Sequence, residues 1–277
     1  MTELVVRRLM VDMEQPIARD WCDGDAFVSA FFNALSMSFP QGEQFFIDAV
    51  RDGVASMDET QRAAYAAMAK GFVGQEATHR HLHGQYNQHL LDLGYVNAWE
   101  QRILARRRWL EGQDVRHWLA ITAGYEHFTA IFAQWLLQHP EVLGRQDLRL
   151  KTLWLWHSAE ESEHRSVAFD VYRALGGSEK WRKRWFRRVT WFFLTDTLRQ
   201  TVSQLAHDGQ LWRGSTWRSA WRLAFGAKGL VTHTWSAWRA YFAADFHPEQ
   251  DDDALSKAWL VDHHAEYRVV GQASSAS

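Results

Sequence analysis

Apolar residues spaced three and four positions apart recur along the first two thirds of the chain, which places them on one face of an α-helix. The spacing predicts four long helices, at about 26–50, 58–91, 114–138 and 147–175, and Gly176 and Gly177 end the last one. Pro40 and Gly42 interrupt the first pattern, so this helix either kinks there or ends and is followed by another. Because the chain has only four prolines, the pattern indicates an all-α protein.

Polar residues interrupt the apolar pattern of the fourth predicted helix in one short stretch. His157, Glu161 and His164 stand at offsets 0, 4 and 7, which lie on one face of a helix. Burying two imidazoles and a carboxylate costs free energy unless a partner compensates, and a metal ion is the usual compensation. The alternative is a solvated polar face, and this stretch alone does not decide between them.

The second predicted helix repeats part of this spacing. Glu76 and His79 are three residues apart, as are Glu161 and His164. A Glu-x-x-His pair lets a carboxylate and an imidazole on adjacent turns reach one ion. One such pair is weak evidence, but two pairs on separate long helices strengthen the prediction of a metal site.

Two further helices each carry one glutamate among apolar residues, Glu43 in the first and Glu126 in the third. The alternative for Glu43 is an acid near a helix N-terminus, where the helix dipole favours it. Glu126 has no salt-bridge partner close in sequence, which favours a ligand over a stray buried acid. The order along the chain is Glu, Glu-x-x-His, Glu, Glu-x-x-His, the ligand set of ferritin-like di-iron or di-manganese carboxylate bundles.

Several polar neighbours of these residues have predicted roles. His83, one turn beyond His79, is a third ligand, an acid or base of the pocket, or a packed histidine, and we favour the acid–base role. Glu160 precedes the second Glu-x-x-His pair, and we expect it to accept a hydrogen bond from His79 and so to orient that ligand. Asn87 lies either near the same cavity or in solvent, and Glu163 is expected to face solvent.

Composition limits the function further. The net charge of −2 among 277 residues argues against a nucleic-acid partner, and the single cysteine, Cys22, argues against disulfides and favours the cytoplasm. Residues 1–15 lack the apolar core of a signal peptide, and no stretch has the ~18 consecutive apolar residues of a membrane span. Residues 1–25 are interpreted as a leader arm, with Asp25 as the cap of the first helix.

After residue 177 the composition changes to one rich in tryptophan and arginine. We therefore predict two units, an arm with a di-metal four-helix bundle (1–177) and a helical extension packed on it (178–277), with helices near 179–206, 215–244 and 251–266. Basic helices that carry tryptophan also lie at lipid headgroups, so peripheral contact with the inner face of a membrane is the alternative for this surface. The arginines of 95–112 are interpreted as a solvated face, and residues 272–277 as a frayed tail.

Two resemblances extend this interpretation. The ligand order resembles that of the p-aminobenzoate N-oxygenase family, which is ferritin-like and has seven di-iron ligands. This likeness implies the metal ligands Glu43, Glu76, His79, Glu126, His157, Glu161 and His164. Segments 39–46, 75–87 and 156–172 are similar to the bacterial family described as predicted metal-dependent hydrolase, and this likeness covers most of the chain. If His157 is a ligand, we expect it to share one metal with His164 and to leave the other with His79.

Two metal ions with such ligands support two kinds of chemistry. Iron, the metal we favour, activates O₂ to oxidise or oxygenate a small apolar substrate, and this enzyme needs an electron donor. Zinc or manganese instead supports hydrolysis by a hydroxide held between the two ions. Metal storage and a structural metal site rank below both. Bundles of this type often pair, so a homodimer is a further expectation.

Overall fold

The computed structural model describes residues 4–250 and 252–271, and the fold is almost wholly helical. The predicted all-α class is confirmed. Two short strands, β1 (Arg7–Leu9) and β2 (Tyr267–Val269), are the exception within the described residues. The helices are α1 (Ala26–Ala55), α2 (Glu59–Asp92), α3 (Ala98–Leu110), α4 (Val115–Gln138), α5 (Leu148–His164), α6 (Val167–Ala174), α7 (Glu179–His207), α8 (Gly214–Phe225), α9 (Leu230–Ala240) and α10 (Ala254–Asp262).

α1 continues through Pro40 as a single helix. Proline has no N–H, so the carbonyl of Ser36 loses its usual partner four residues on. The side chain of Asn87 on α2 replaces it, because its Nδ2 donates to Ser36 O at 2.9 Å. Asp25 caps the start of α1, accepting hydrogen bonds from the backbone of Phe27 and Val28. Glu43 therefore lies in the middle of a helix, and the alternative of an acid near a helix N-terminus is wrong.

The predicted fourth helix is divided in two, because α5 ends at His164 and α6 begins at Val167. The link is held by a distant turn, Pro248–Gln250: Arg165 Nε donates to Pro248 O at 2.9 Å, and Ser166 Oγ donates to Glu249 at 3.1 Å. Contacts between residues this far apart in sequence cannot be predicted from the local spacing of apolar residues. The helix predicted over 215–244 is likewise divided, into α8 and α9.

Two helix pairs form the frame, with α1 packed along α2 and α4 along α5. The tryptophan-rich helices pack on this frame, α7 against α1 and α4 and α9 against α4. Trp185 and Phe186 of α7 are buried in that contact, while Trp191 and Trp221 are each 66% exposed. None of the described helices has the length and apolar character needed to cross a bilayer. Membrane contact and the division into two units stay predictions, and the frayed tail lies outside the described residues.

The basic segment 95–112 is not the solvated face that the sequence suggested. Most of it forms α3, whose arginines join neighbouring helices through ion pairs. Arg102 and Arg106 both bind Asp196 of α7, at 2.6 and 2.5 Å, and Arg107 binds Asp48 of α1 at 2.5 Å. α3 is therefore fixed against α1 and α7.

The arm at the start of the chain is fixed as well. β1 pairs with β2 in antiparallel register, with Arg7 opposite Val269. The guanidinium of Arg7 lies over the ring of Tyr267, 5.5 Å from its centroid. The same guanidinium donates hydrogen bonds to Glu160 and Glu163 of α5.

Candidate metal centre

Four helices each bring one buried glutamate to the centre of the frame. Glu43 comes from α1, Glu76 from α2, Glu126 from α4 and Glu161 from α5, and none is more than 4% exposed. Three buried histidines complete the group, His79 on α2 and His157 and His164 on α5. The seven residues named as ligands from the sequence therefore lie together.

Their donor atoms form two connected groups. At one end, His164 Nε2 lies 3.5 Å from an oxygen of each of Glu76, Glu126 and Glu161. At the other end, donor atoms of Glu43, His79 and His157 lie within 4.8 Å of one another. Glu76, His79 and Glu161 satisfy the same criterion and connect the two ends. Each group has the size and donor types of a site for one cation.

The position of His157 differs from the one expected. It groups with His79, whose ring stacks on it at a centroid distance of 4.1 Å, and not with His164. Seven residues along a helix correspond to about 10 Å, so His157 and His164 reach opposite ends of the centre. The end with His164 thus has one imidazole, and the other end has two.

Many of the carboxylate oxygens have no hydrogen-bond partner. Among the described residues, this holds for both oxygens of Glu43, Glu76 and Glu126 and for one of Glu161. Burial and the neighbouring carboxylates raise the pKa of Glu43, Glu76 and Glu126 well above the usual value. Burial acts the same way on Glu161, but the three histidines outweigh it and lower its pKa well below the usual value. Buried acids without partners are costly, and bound cations would remove that cost.

A hydrogen bond from behind orients His79. Its Nε2 lies 3.0 Å from Glu160 Oε2, and the other oxygen of Glu160 accepts a hydrogen bond from Arg7 at 3.1 Å. Burial raises the pKa of Glu160 to about 8 against the opposing charge of Arg7. A cation at Nδ1 of His79 favours the proton on Nε2, where Glu160 accepts it. Nδ1, which faces the carboxylates, then presents a lone pair.

Gln75 orients His164 in the same way. The amide nitrogen of Gln75 donates to Val5 O at 3.0 Å and to Glu163 at 2.8 Å, so its oxygen remains as an acceptor. That oxygen lies 2.9 Å from His164 Nδ1, which must therefore carry the proton. Nε2 of His164 then presents its lone pair to three carboxylates.

A longer chain of hydrogen bonds orients His157. Asn87 donates to Ser36 O, so its oxygen accepts from Ser36 Oγ at 2.8 Å. Ser36 Oγ has then used its proton and accepts from His83 Nδ1 at 2.9 Å. His83 Nε2 in turn accepts from His157 Nδ1 at 2.8 Å. The protons are thereby fixed, and Nε2 of His157 presents a lone pair on the side of Glu161 and Glu43.

These three histidines share one arrangement, with a proton held on the outer nitrogen and a lone pair turned inward. Burial lowers the pKa of His79, and burial with the nearby His79 lowers the pKa of His157 to about 4, which favours the neutral ring that a metal requires. His83 has protein partners on both nitrogens and is absent from the cavity lining described below. Its acid–base role stays a prediction.

Sequence reasoning missed part of this outer layer. Glu163 does not face solvent as expected, because it binds Arg7 at 2.7 Å and Gln75 at 2.8 Å. Arg7 and Gln75 were given no role at all. Their partners on α5 lie about 90 to 150 residues away, and Gln75 had one local signal, its position directly before Glu76.

An apolar cavity of about 470 Å³ adjoins the centre, between α1, α3, α4 and α7. Phe39 lines it and also packs on His157, with 4.7 Å between ring centroids. Gly42 and Tyr125, which precede Glu43 and Glu126 in sequence, line it as well. None of the seven candidate ligands lines the cavity, so the contact of Phe39 with His157 is what connects it to the centre.

Comparison with known proteins supports metal dependence. The sequence profile of one family, described as predicted metal-dependent hydrolase, matches residues 5–252. The chain belongs to that family. No curated protein and no solved structure matches it, so the likeness to ferritin-like bundles stays a prediction. What the family assignment and the buried His/Glu groups support together is a metal-dependent protein.

Proposed function

We propose that this member of the family is a two-metal enzyme that uses O₂ to oxidise or oxygenate a small apolar substrate. The supporting observation is the orientation of the three histidines. Glu160, Gln75 and His83 each hold a proton on the outer nitrogen of one histidine, so that three lone pairs point at four buried carboxylates. Hydrogen-bonded outer nitrogens of this kind accompany metal-binding histidines in general.

The charge of the centre suits two divalent cations. Four ionised carboxylates and three neutral imidazoles carry a charge of −4, which two such ions neutralise. Glu43, His79 and His157 would hold one ion, Glu126 and His164 the other, with Glu76 and Glu161 between them. Mixed carboxylate and imidazole ligands suit iron and manganese. Bound iron would supply the redox chemistry that O₂ reduction needs.

The surroundings favour oxidation over hydrolysis. Bound metal ions would supply a hydroxide for hydrolysis, and hydrolytic sites commonly add a base or acid that reaches the attacking water or the leaving group. The two nearby candidates, His83 and Glu160, lie behind the ligands and are committed to His157 and His79. The adjoining cavity is lined mainly by aromatic and aliphatic side chains, which exclude water and suit a C–H or N–H substrate. Inserting one oxygen atom consumes O₂, two electrons from an external donor and two protons, and releases one water.

Hydrolysis of an ester, amide or phosphoryl group is the second candidate, because the family is described as predicted metal-dependent hydrolase. Replacing iron with zinc distinguishes oxidation from hydrolysis, because zinc has no redox chemistry but supports hydrolysis. We therefore compare protein reconstituted with iron(II) without oxygen and protein reconstituted with zinc. Metals per chain, O₂ uptake on adding air and reductant, and cleavage of a panel of nitrophenyl esters are measured on both.

We expect two metals per chain in both forms and O₂ uptake in the iron form alone. Glu126→Ala should lose metal and O₂ uptake together, and Glu14→Ala, at an exposed acid, should lose neither. Ester cleavage in the zinc form without O₂ uptake in the iron form would transfer the proposal to hydrolysis. Fewer than two metals in both forms would end the two-metal assignment.

A further inference from the structure

The cavity beside the centre has two chemically different ends. Its inner end is formed by residues of α1 near Glu43 in sequence: Phe39, Gly42 and Phe46 lie four before, one before and three after it, and Phe39 packs on His157. Phe193 of α7 and Trp99 of α3 pack together across this end, with 6.1 Å between their rings. This end is apolar.

The outer end carries a cation. Trp185 and Arg188 of α7 line it together with Trp109 of α3, which is 64% exposed. From Trp185 to Phe193 is eight residues of helix, or about 12 Å, so the outer end lies well away from the inner one. The guanidinium of Arg188 lies over the Trp185 ring, 4.8 Å from its centroid.

Arg188 differs from the other arginines of the cavity. Arg106 and Arg107 also line it, but each is paired with an aspartate, Asp196 and Asp48. Within residues 4–250 and 252–271, no acidic side chain forms an ion pair with Arg188. A half-buried guanidinium beside apolar walls is therefore available to an anionic group of a bound molecule.

Gly42 keeps the inner end open. It lies within α1, where glycine costs about 0.5–1 kcal/mol relative to alanine and the helical backbone does not require it. A Cβ there would meet nothing within 4 Å. At Gly53 on the same helix a Cβ would instead lie 2.9 Å from Leu119, so packing explains that glycine. Packing gives no such reason for Gly42, and because Gly42 lines the cavity, the free space there suits a ligand.

From these observations we infer that the cavity binds an amphiphilic small molecule, with an apolar chain at Gly42 and Phe39 and one anionic group at Arg188. Its volume of about 470 Å³ is typical of small-molecule sites. That this molecule is the substrate rests on the proposed function. The orientation brings the apolar end, and not the charged one, to the metal centre.

The test measures binding of two probes, decanoate and decan-1-ol, by calorimetry, with metal content determined on the same samples. Arg188→Met should weaken decanoate about tenfold, the loss expected for a hydrogen bond to a charged group, and should leave decan-1-ol unchanged. Gly42→Leu should weaken both probes about tenfold or more, because it fills the inner end. Gly84→Leu, at an exposed helical glycine on α2 that also has no neighbour within 4 Å of a Cβ, is the matched control and should change neither. If Gly42→Leu folds poorly, Gly42→Ala is measured instead and should show a smaller loss of affinity for both probes.

Failure of either proposal can be recognised separately. Equal binding of decanoate by Arg188→Met and the unsubstituted protein, or full binding by the Gly42 variants, would overturn the cavity assignment, as would no binding of either probe. Probe binding with the expected dependence in a protein that takes up no metal on reconstitution with iron(II) or zinc would keep the assignment and refute the two-metal centre.

Discussion

The chain of hydrogen bonds behind His157 makes the sharpest prediction. His83→Leu removes the acceptor for His157 Nδ1 while keeping an apolar side chain in the space beside Phe39 and Trp154. The proton on Nδ1 then has no partner. The alternative tautomer, with the proton on Nε2, is favoured because it can donate to Glu161 at 2.8 Å. In that tautomer the lone pair is on Nδ1, which faces away from the centre.

The magnitude follows from the unsatisfied group. Leaving one buried N–H without a partner costs about 1–3 kcal/mol, and 1.4 kcal/mol corresponds to a tenfold change in an equilibrium constant. Metal affinity at the end with His79 and His157 should therefore fall by roughly 5- to 150-fold. Affinity at the end with His164, which depends on Gln75, should stay unchanged. His83→Gln restores an acceptor and should recover most of the loss.

The assay is competition with a chromophoric chelator, which resolves two binding steps, supported by metal analysis. His81→Leu, at an exposed histidine two residues away on α2, is the matched control and should titrate like the unsubstituted protein. Equal weakening of both steps in His83→Leu would refute the division of the centre into two ends. No weakening of either step would refute the role of His83 in orienting His157.

Four other outcomes are expected. Glu160→Gln should keep two metals but bind the one at the end with His79 about 10–100-fold more weakly in the same titration, because an amide is a weaker acceptor for His79 Nε2 than a carboxylate; unchanged affinity would contradict that role. Removing metal with EDTA should lower the midpoint of thermal unfolding, because the buried glutamates then repel one another, and adding metal back should restore it. Asp25→Ala should lower the free energy of unfolding by about 1 kcal/mol, measured in urea, without loss of metal, since it removes the N-terminal cap of α1. Burial lowers the pKa of His117, whose ring accepts a hydrogen bond from Trp185 Nε1 at 3.0 Å. The stability that the neutral ring contributes is therefore fully present above pH 6.5 and is lost as the pH falls toward the lower pKa of the folded protein. His117→Asn should make the urea midpoint of unfolding depend less on pH in this range.

Periodicity and spacing along the sequence located the helices and the polar residues that face one another. His157, Glu161 and His164 are visible as a group because a helix converts their offsets into one face. The same rule pairs Glu76 with His79. Whether these residues bind metal is a separate matter that stays a prediction.

What the sequence left undetermined depends on contacts between distant segments. Ser36 and Asn87 are 51 residues apart, and their contact replaces the hydrogen bond that Pro40 removes from α1. Arg7 and Glu160 are 153 residues apart, so nothing near Arg7 indicated its place behind His79. Which histidines share one end of the centre also depends on how α2 lies against α5, and periodicity within one helix does not specify that.

The pairing of β1 with β2 has a consequence for the order of events during synthesis. Arg7 lies opposite Val269 in this strand pair, and Val269 is made 262 residues later. At about 5–20 residues per second this interval is roughly 13–50 s. Until β1 and β2 pair, Arg7 is not held where it donates to Glu160, the residue that contacts Nε2 of His79. A nascent chain thus has the seven inner donors well before the outer support of His79 is secured, and under the proposed function firm metal binding at that end would follow the pairing of β1 with β2.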